Sequence, residues 1–216
     1  QAGGTMNISA GTGLLLTGTS SGNANGTGYY WLQGGTLNVT GGKGIVAGLG
    51  TAYFLWQGGS LNTVGIDTSL YNYATGNLTP GGDGAVGTMT AYATGLTYSQ
   101  AATANMTIDI KDDSTYDQIV WTGGTAEFED GTTITLNLID DDLSVLTMGQ
   151  TFDILVADGI TAGTFTLLGK YASSFSVNVI GGNVLQLKYG DIPEPAVSAG
   201  LLGALALALV ARRRRK

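Results

Sequence analysis

Apolar and polar residues alternate in short runs along this chain. Residues 132–138 read T-T-I-T-L-N-L, and residues 175–179 read F-S-V-N-V. A period of two puts every second side chain on one face of an extended segment, so each run predicts a half-buried strand. Glycines and small polar residues stand between the runs. That pattern predicts many short strands joined by tight turns.

The runs also repeat. "GGTMNI" (3–8), "GGTLNV" (34–39) and "GGSLNT" (58–63) share one pattern. The match extends to "NISAGTGLLLTG" (7–18) against "NVTGGKGIVAGLG" from Asn38, and to "YYWLQGG" (29–35) against "YFLWQGG" (53–59). The last two copies are 24 residues apart and the first two 31 apart, with the extra seven assigned to the loop "SSGNANGTG" (20–28). A period near 24 with several apolar runs per copy predicts a solenoid, about three short strands to a coil. One coil cannot bury its apolar face, but a stack can.

The body is therefore expected to be all-β, a right-handed parallel β-helix. Residues 1–75 would form the repeats, and residues 76–190 a continuation or a β cap. Parallel stacking is preferred because equivalent segments then lie directly above one another. A β-sandwich is the alternative for the second half. Equivalent Asn7, Asn38 and Asn62 predict an internal ladder, as do Gln33 and Gln57. Strand alternation splits Tyr29, Tyr30 and Trp31, and their equivalents Tyr53, Phe54 and Leu55, between inside and outside. Trp31, Tyr53 and Trp56 are the candidate glycan contacts, against the plainer role of core and stacking residues.

Composition narrows the chemistry. Glycine fills 36 of 216 positions, and charged residues only 12%. The first figure is more than twice the usual share and the second about half of it. The formal charge is −7, yet five of the nine basic residues are Arg212, Arg213, Arg214, Arg215 and Lys216. Residues 1–190 carry four lysines, no arginine and fourteen acidic residues, a net of −10. Such a body repels phosphate backbones, so no nucleic-acid partner is expected.

There is no cysteine and no histidine. That excludes disulfides, thiol nucleophiles, Ser-His triads and metal sites built on Cys or His. Carboxylates are the remaining catalytic groups. Asp109, Asp112, Asp113 and Asp117 cluster before one strand, and Asp140, Asp141 and Asp142 follow another. Paired carboxylates suit glycosidic acid–base work, but Asp is also common in solvated turns. No catalytic residue is assigned, no cofactor is expected, and the chain is read as a non-enzyme. Asp112, Asp113, Asp140, Asp141 and Asp142 are weak calcium candidates, since hard cations favour closely spaced oxygens. No EF-hand spacing accompanies them.

The last 25 residues read "IPEPAVSAGLLGALALALVARRRRK". Residues 196–211 carry no charge and as a helix would be about 24 Å long, short for a hydrocarbon core of about 30 Å. Flanking cations snorkel and the bilayer thins locally, so a transmembrane helix over 196–211 is expected. Arg212–Lys216 as a charge anchor would stay cytoplasmic, leaving the body outside. Pro193 and Pro195 keep the preceding segment extended, the form in which a processing enzyme binds a peptide as a strand. The chain begins at Gln1 rather than Met, which suggests a processed N-terminus or a fragment.

Pro193-Glu194-Pro195, an apolar run and a terminal arginine cluster, in that order, resemble a PEP-CTERM sorting signal over residues 191–216. The resemblance implies an exosortase-type membrane enzyme as partner, transient anchoring in the inner membrane of a Gram-negative bacterium, processing near the Pro-Glu-Pro, and release to the surface or matrix. "LTPGGDGAVGTMT" (78–90), residues 108–139 and "GQTFDILVADGITAGTF" (149–165) look like the later passenger region of autotransporter-type adhesins. That resemblance implies a β-helix continuation or cap. The first functional reading is an exported structural or adhesive protein of the cell surface or extracellular matrix. The alternative is a carbohydrate-binding module contacting extracellular polysaccharide. The third is a polysaccharide-active enzyme.

Overall fold

The structure is a computed structural model, and it describes residues 1–18 and 26–190. Residues 20–25 of the loop assigned the seven-residue insertion, and the whole sorting tail with its expected helix, lie outside the described residues, while residues 27 and 28 of that loop already belong to a strand. What is described is a parallel β-helix.

The first coil comprises β1 (Thr5–Ile8), β2 (Leu14–Leu15) and β3 (Thr27–Leu32). The second runs through β4 (Thr36–Val39), β5 (Ile45–Val46) and the start of β6 (Thr51–Thr63). The third takes the end of β6, β7 (Gly65–Ile66) and the start of β8 (Leu70–Leu78). Then come the end of β8, β9 (Thr88–Ala91) and β10 (Thr97–Gln100). The later coils use β11 (Asn105–Asp112), the short β12 (Thr115–Tyr116), β13 (Gln118–Phe128), β14 (Thr132–Leu138), β15 (Thr151–Ala162) and β16 (Phe165–Leu168). An antiparallel hairpin of β17 (Phe175–Ile180) and β18 (Val184–Tyr189) follows, and β18 lies antiparallel on β15. The hairpin ends the parallel stacking.

The register shows why the chain winds this way. On the first face Met6, Leu37, Leu61, Leu78, Met106, Ile134 and Leu167 stand in one column. Leu37, Leu61, Leu78, Met106 and Ile134 are fully buried. On the second face Leu14, Ile45, Ile66 and Ala91 align. On the third, Tyr30, Phe54, Leu70, Tyr98, Ala126 and Ile160 align. Each fully buried aliphatic side chain contributes roughly 1.5–3 kcal/mol, so continuous apolar columns stabilise coils that are marginal alone.

The repeated glycine pair turns a corner. Gly4, Gly35 and Gly59, the second glycine of each copy, have φ of 72°, 76° and 80°. L-residues with a Cβ rarely adopt that conformation. A Cβ on Gly59 would also meet the Gly35 carbonyl oxygen at 2.4 Å. The sequence repeat therefore records both a left-handed turn and a close approach between coils.

The two ladders and the alternative fold come out differently from expectation. The asparagine column does form, with Asn7, Asn38 and Asn62 in register, and Asn38 Nδ2 donates to Asn7 Oδ1 at 2.7 Å. It stands outside the apolar core, because Leu37 and Val39 take the two inward positions of β4; along it Asn7 is exposed, Asn38 half-buried and Asn62 buried. Gln33 and Gln57 are exposed instead of internal. The β-sandwich alternative for the second half gives way to continued parallel stacking through β16. β8 spans Leu70–Leu78, so one strand runs from the repeat region into the segment that follows it.

Candidate functional site

The repeat alignment of the aromatic segment holds in space. Tyr29 pairs with Tyr53, Tyr30 with Phe54, Trp31 with Leu55 and Leu32 with Trp56. Alternation then separates them. Tyr29, Trp31 and Tyr53 point outward, with exposures of 66%, 47% and 44%. Phe54 and Trp56 point inward. Trp56 is fully buried and its indole N–H donates to the Gly58 carbonyl at 3.1 Å. It is a core residue and is withdrawn as a glycan contact: with even parity to Phe54 it faces inside.

The outer rings form a ladder. Tyr29 and Tyr53 stack with centroids 5.1 Å apart and planes 12° apart. Stacking uses up the facing surfaces of both rings. The next coil does not continue the column: Phe54 pairs with Leu70 and Tyr98 with Leu70, which sets Ser69 beneath Tyr53 and Thr97 beneath Ser69. A groove of about 270 Å³ opens at that place, lined by Tyr53, Leu55, Asp67, Ser69, Tyr71 and Leu96 among others. Along its side Tyr71 stacks on the exposed Tyr73, centroids 5.4 Å apart and planes parallel within 1°.

The polar groups of the groove are partly engaged. Ser69 Oγ accepts from the Thr97 N–H at 3.0 Å. Asp67 Oδ1 accepts from the Ala47 N–H of the coil before it. Among the described residues, Ser69 Oγ takes part in no other hydrogen bond and Asp67 Oδ2 in none.

Sequence reasoning found Trp31 and Tyr53 but not Ser69, Asp67, Tyr71 or Tyr73. The spacing between equivalent residues falls from 24 (Thr36 to Ser60) to 17 (Ser60 to Asn77). A shortened coil no longer resembles its neighbours as a string. The signal available was the alternation in "SLYNY" (69–73), which puts Tyr71 and Tyr73 on one face.

The first acidic cluster divides. Asp109 and Asp117 are fully buried. Asp117 accepts from the Gly87 N–H at 2.7 Å and the Asp109 N–H at 2.9 Å. Asp109 accepts from the Ala85 N–H at 3.1 Å and Asn137 Nδ2 at 2.5 Å. Both carboxyls thereby fasten the segment leading into β9. Burial pushes Asp117 up to about 7 and raises Asp109 as well, against their backbone hydrogen bonds.

The remaining acids of the two clusters are half-buried (Asp112 and Asp113) or exposed (Asp140, Asp141 and Asp142). Asp112 accepts from the Ser114 N–H and hydroxyl, both at 2.9 Å, which holds it below the usual carboxylate range. Asp113 accepts from the Thr147 N–H at 2.9 Å. Asp141 pairs with Lys170 at 2.6 Å, and this bond lowers the acid and pushes the lysine up to about 12. Asp142 caps the 3₁₀ turn Leu143–Val145 through the Ser144 N–H at 2.8 Å. Asp140 precedes them in the turn that follows β14. Among the described residues no three acidic side chains are grouped to hold a metal ion, and Asp112 and Asp113 are spent on different partners from Asp141 and Asp142.

Pro193, Glu194, Pro195 and the Arg212–Lys216 block lie outside the described residues. Among the described residues no helix is long and apolar enough to cross a membrane. Neither comparison, with protein-family models or with curated proteins, finds a match.

Proposed function

We propose that this chain is an exported structural and adhesive protein of a Gram-negative cell surface or extracellular matrix, delivered by a PEP-CTERM-type tail and processed by an exosortase-type enzyme. The observation that carries the reading is the order of Pro193-Glu194-Pro195, the uncharged run 196–211 and the cationic end Arg212–Lys216. The body supports it. A stack of coils held by columns of buried side chains makes a stiff rod, and its outer columns are rich in Asn, Thr and Tyr rather than charge. The chemistry of such a body is contact along a surface. Asp109 and Asp117 hold backbone amides, so the carboxylates with most burial are already engaged structurally.

The test is sorting. Pro193→Ala combined with Glu194→Ala is expected to leave full-length protein in the inner membrane, read by fractionation and immunoblot. Release of mature protein at the wild-type rate would overturn the proposal. A second reading, attachment to extracellular carbohydrate, is favoured by the exposed rings Tyr29, Trp31 and Tyr53. Cleavage of acidic polysaccharides by the purified chain, with or without Ca²⁺, would replace both readings with an enzymatic one.

A further inference from the structure

We infer that the break in the outer tyrosine ladder is a subsite for one neutral pyranose ring, which takes the place of the missing rung beneath Tyr53. This inference rests on the adhesive reading of the body and names the ligand class for it.

The geometry is that of a vacant position in a stack. Tyr29 covers one face of Tyr53 at 5.1 Å. The opposite face looks over Ser69, whose side chain leaves the groove of about 270 Å³ open. Coils repeat about every 4.8 Å, so a flat ring inserted there sits at ordinary stacking distance from Tyr53. The negative face of an aromatic ring attracts polarised hydrogens. A pyranose presents such C–H groups on its face and hydroxyls on its rim. The rim meets the Ser69 hydroxyl and Asp67 Oδ2, a donor and an acceptor suited to sugar hydroxyls. Leu55, Tyr71 and Leu96 supply the apolar walls, the usual mixture of a small-molecule site.

Charge selects among sugars. Asp67 is an acid, and residues 1–190 carry a net −10. A uronate carboxylate placed beside Asp67 is repelled, and like-charge contacts of this kind are costly. The ligand class is therefore a neutral pyranose, either free or as an internal unit of a neutral glycan passing over the groove toward Tyr71 and Tyr73.

The experiment uses the full chain in a detergent without a sugar headgroup. Saturation-transfer NMR is recorded with methyl β-glucoside, with cellohexaose and with glucuronate. Transfer to the glucoside and the hexamer is expected, with glucuronate weaker by about tenfold. Transfer to the hexamer alone identifies a chain rather than a free sugar as the occupant. Ser69→Tyr restores the rung and should abolish transfer while the β spectrum by circular dichroism stays unchanged. Asp67→Asn keeps an acceptor for the Ala47 N–H and should narrow the preference over glucuronate. No transfer in the wild type, or equal transfer in Ser69→Tyr, overturns the subsite. If Ser69→Tyr still holds polymeric glycan as the wild type does, the adhesive reading stands and only the subsite falls.

Discussion

Asp117 holds the backbone N–H of Asp109 at 2.9 Å, while its other carboxyl oxygen holds the Gly87 N–H at 2.7 Å. β11 and β12 pair antiparallel, and the Asp117 side chain joins that hairpin to the segment that enters β9. It does so fully buried, beside a second buried acid.

That arrangement predicts a pH dependence. Burial raises Asp117 from 3.8 to about 7 and raises Asp109 in the same direction. A raised folded-state pKa means the native state keeps a proton that the unfolded chain has lost. Stability is then fullest below pH 4 for this group and falls as pH rises through 7. The full shift corresponds to at most about 4 kcal/mol. Urea unfolding at pH 5 and pH 8 is expected to show the lower midpoint at pH 8. Equal midpoints would contradict the argument.

Asp117→Asn separates charge from hydrogen bonding. Both carboxyl oxygens accept from amides, and an amide side chain offers only one acceptor. The variant is expected to lose about 1–3 kcal/mol at pH 5, where one buried N–H is left facing a donor. It should also show a flatter profile from pH 5 to pH 8. Thermal melts across that range check both outcomes.

Tyr98 and Gln100 make a buried polar pair inside the third face. The Tyr98 hydroxyl donates to Gln100 Oε1, and among the described residues Gln100 Nε2 has no hydrogen-bond partner. Tyr98→Phe or Gln100→Met alone strands one group and should cost about 1–3 kcal/mol. The double variant removes both polar groups and should cost clearly less than the sum. Chemical denaturation of the three variants closes the cycle.

Trp56 leans on a glycine of the next coil. A Cβ on Gly76 would approach Trp56 Cε2 and Asn72 Oδ1 at 2.4 Å each. Gly76→Ala is expected to cost about 1–3 kcal/mol through overpacking. Combined with Trp56→Phe, the alanine should be better tolerated, with a coupling of roughly 1 kcal/mol. Additive losses would mean the ring is not the obstacle.

On the outer face Asn77 Oδ1 accepts from Asn105 Nδ2 at 2.7 Å and Thr107 Oγ1 at 3.0 Å, and Asn105 Oδ1 accepts from Thr135 Oγ1 at 3.0 Å. Asn105 therefore links three coils. Asn105→Ala should cost about 1–2 kcal/mol and raise hydrogen exchange in β8 and β14 more than in β1.

How far the sequence reaches is seen in Asn38 and Tyr53. Near-identical copies 24 residues apart fixed Asn38 beside Asn62 and Tyr53 beside Tyr29, and the register agrees at every position. The face was harder. Asn38 was expected inside and stands outside, because the column of Leu37 and Val39 claims the interior. Trp56 was a surface candidate and is core, since its parity follows Phe54. Acids close in sequence, Asp112 and Asp117, part company: one is half-buried at the end of β11, bonded to Ser114, and the other is buried under residues 85–87.

The sequence by itself determined the all-β body, the parallel stacking of its first coils, the absence of Cys and His chemistry, and the order of motifs in its tail. These are local or periodic properties, and period and composition are written along the chain. Tertiary structure alone decided that Ser69 interrupts the tyrosine ladder and that Asp109 and Asp117 share one buried place. Both depend on which residue the neighbouring coil sets alongside. Coils of unequal length make that a matter of backbone register in space, which no fixed spacing along the chain encodes.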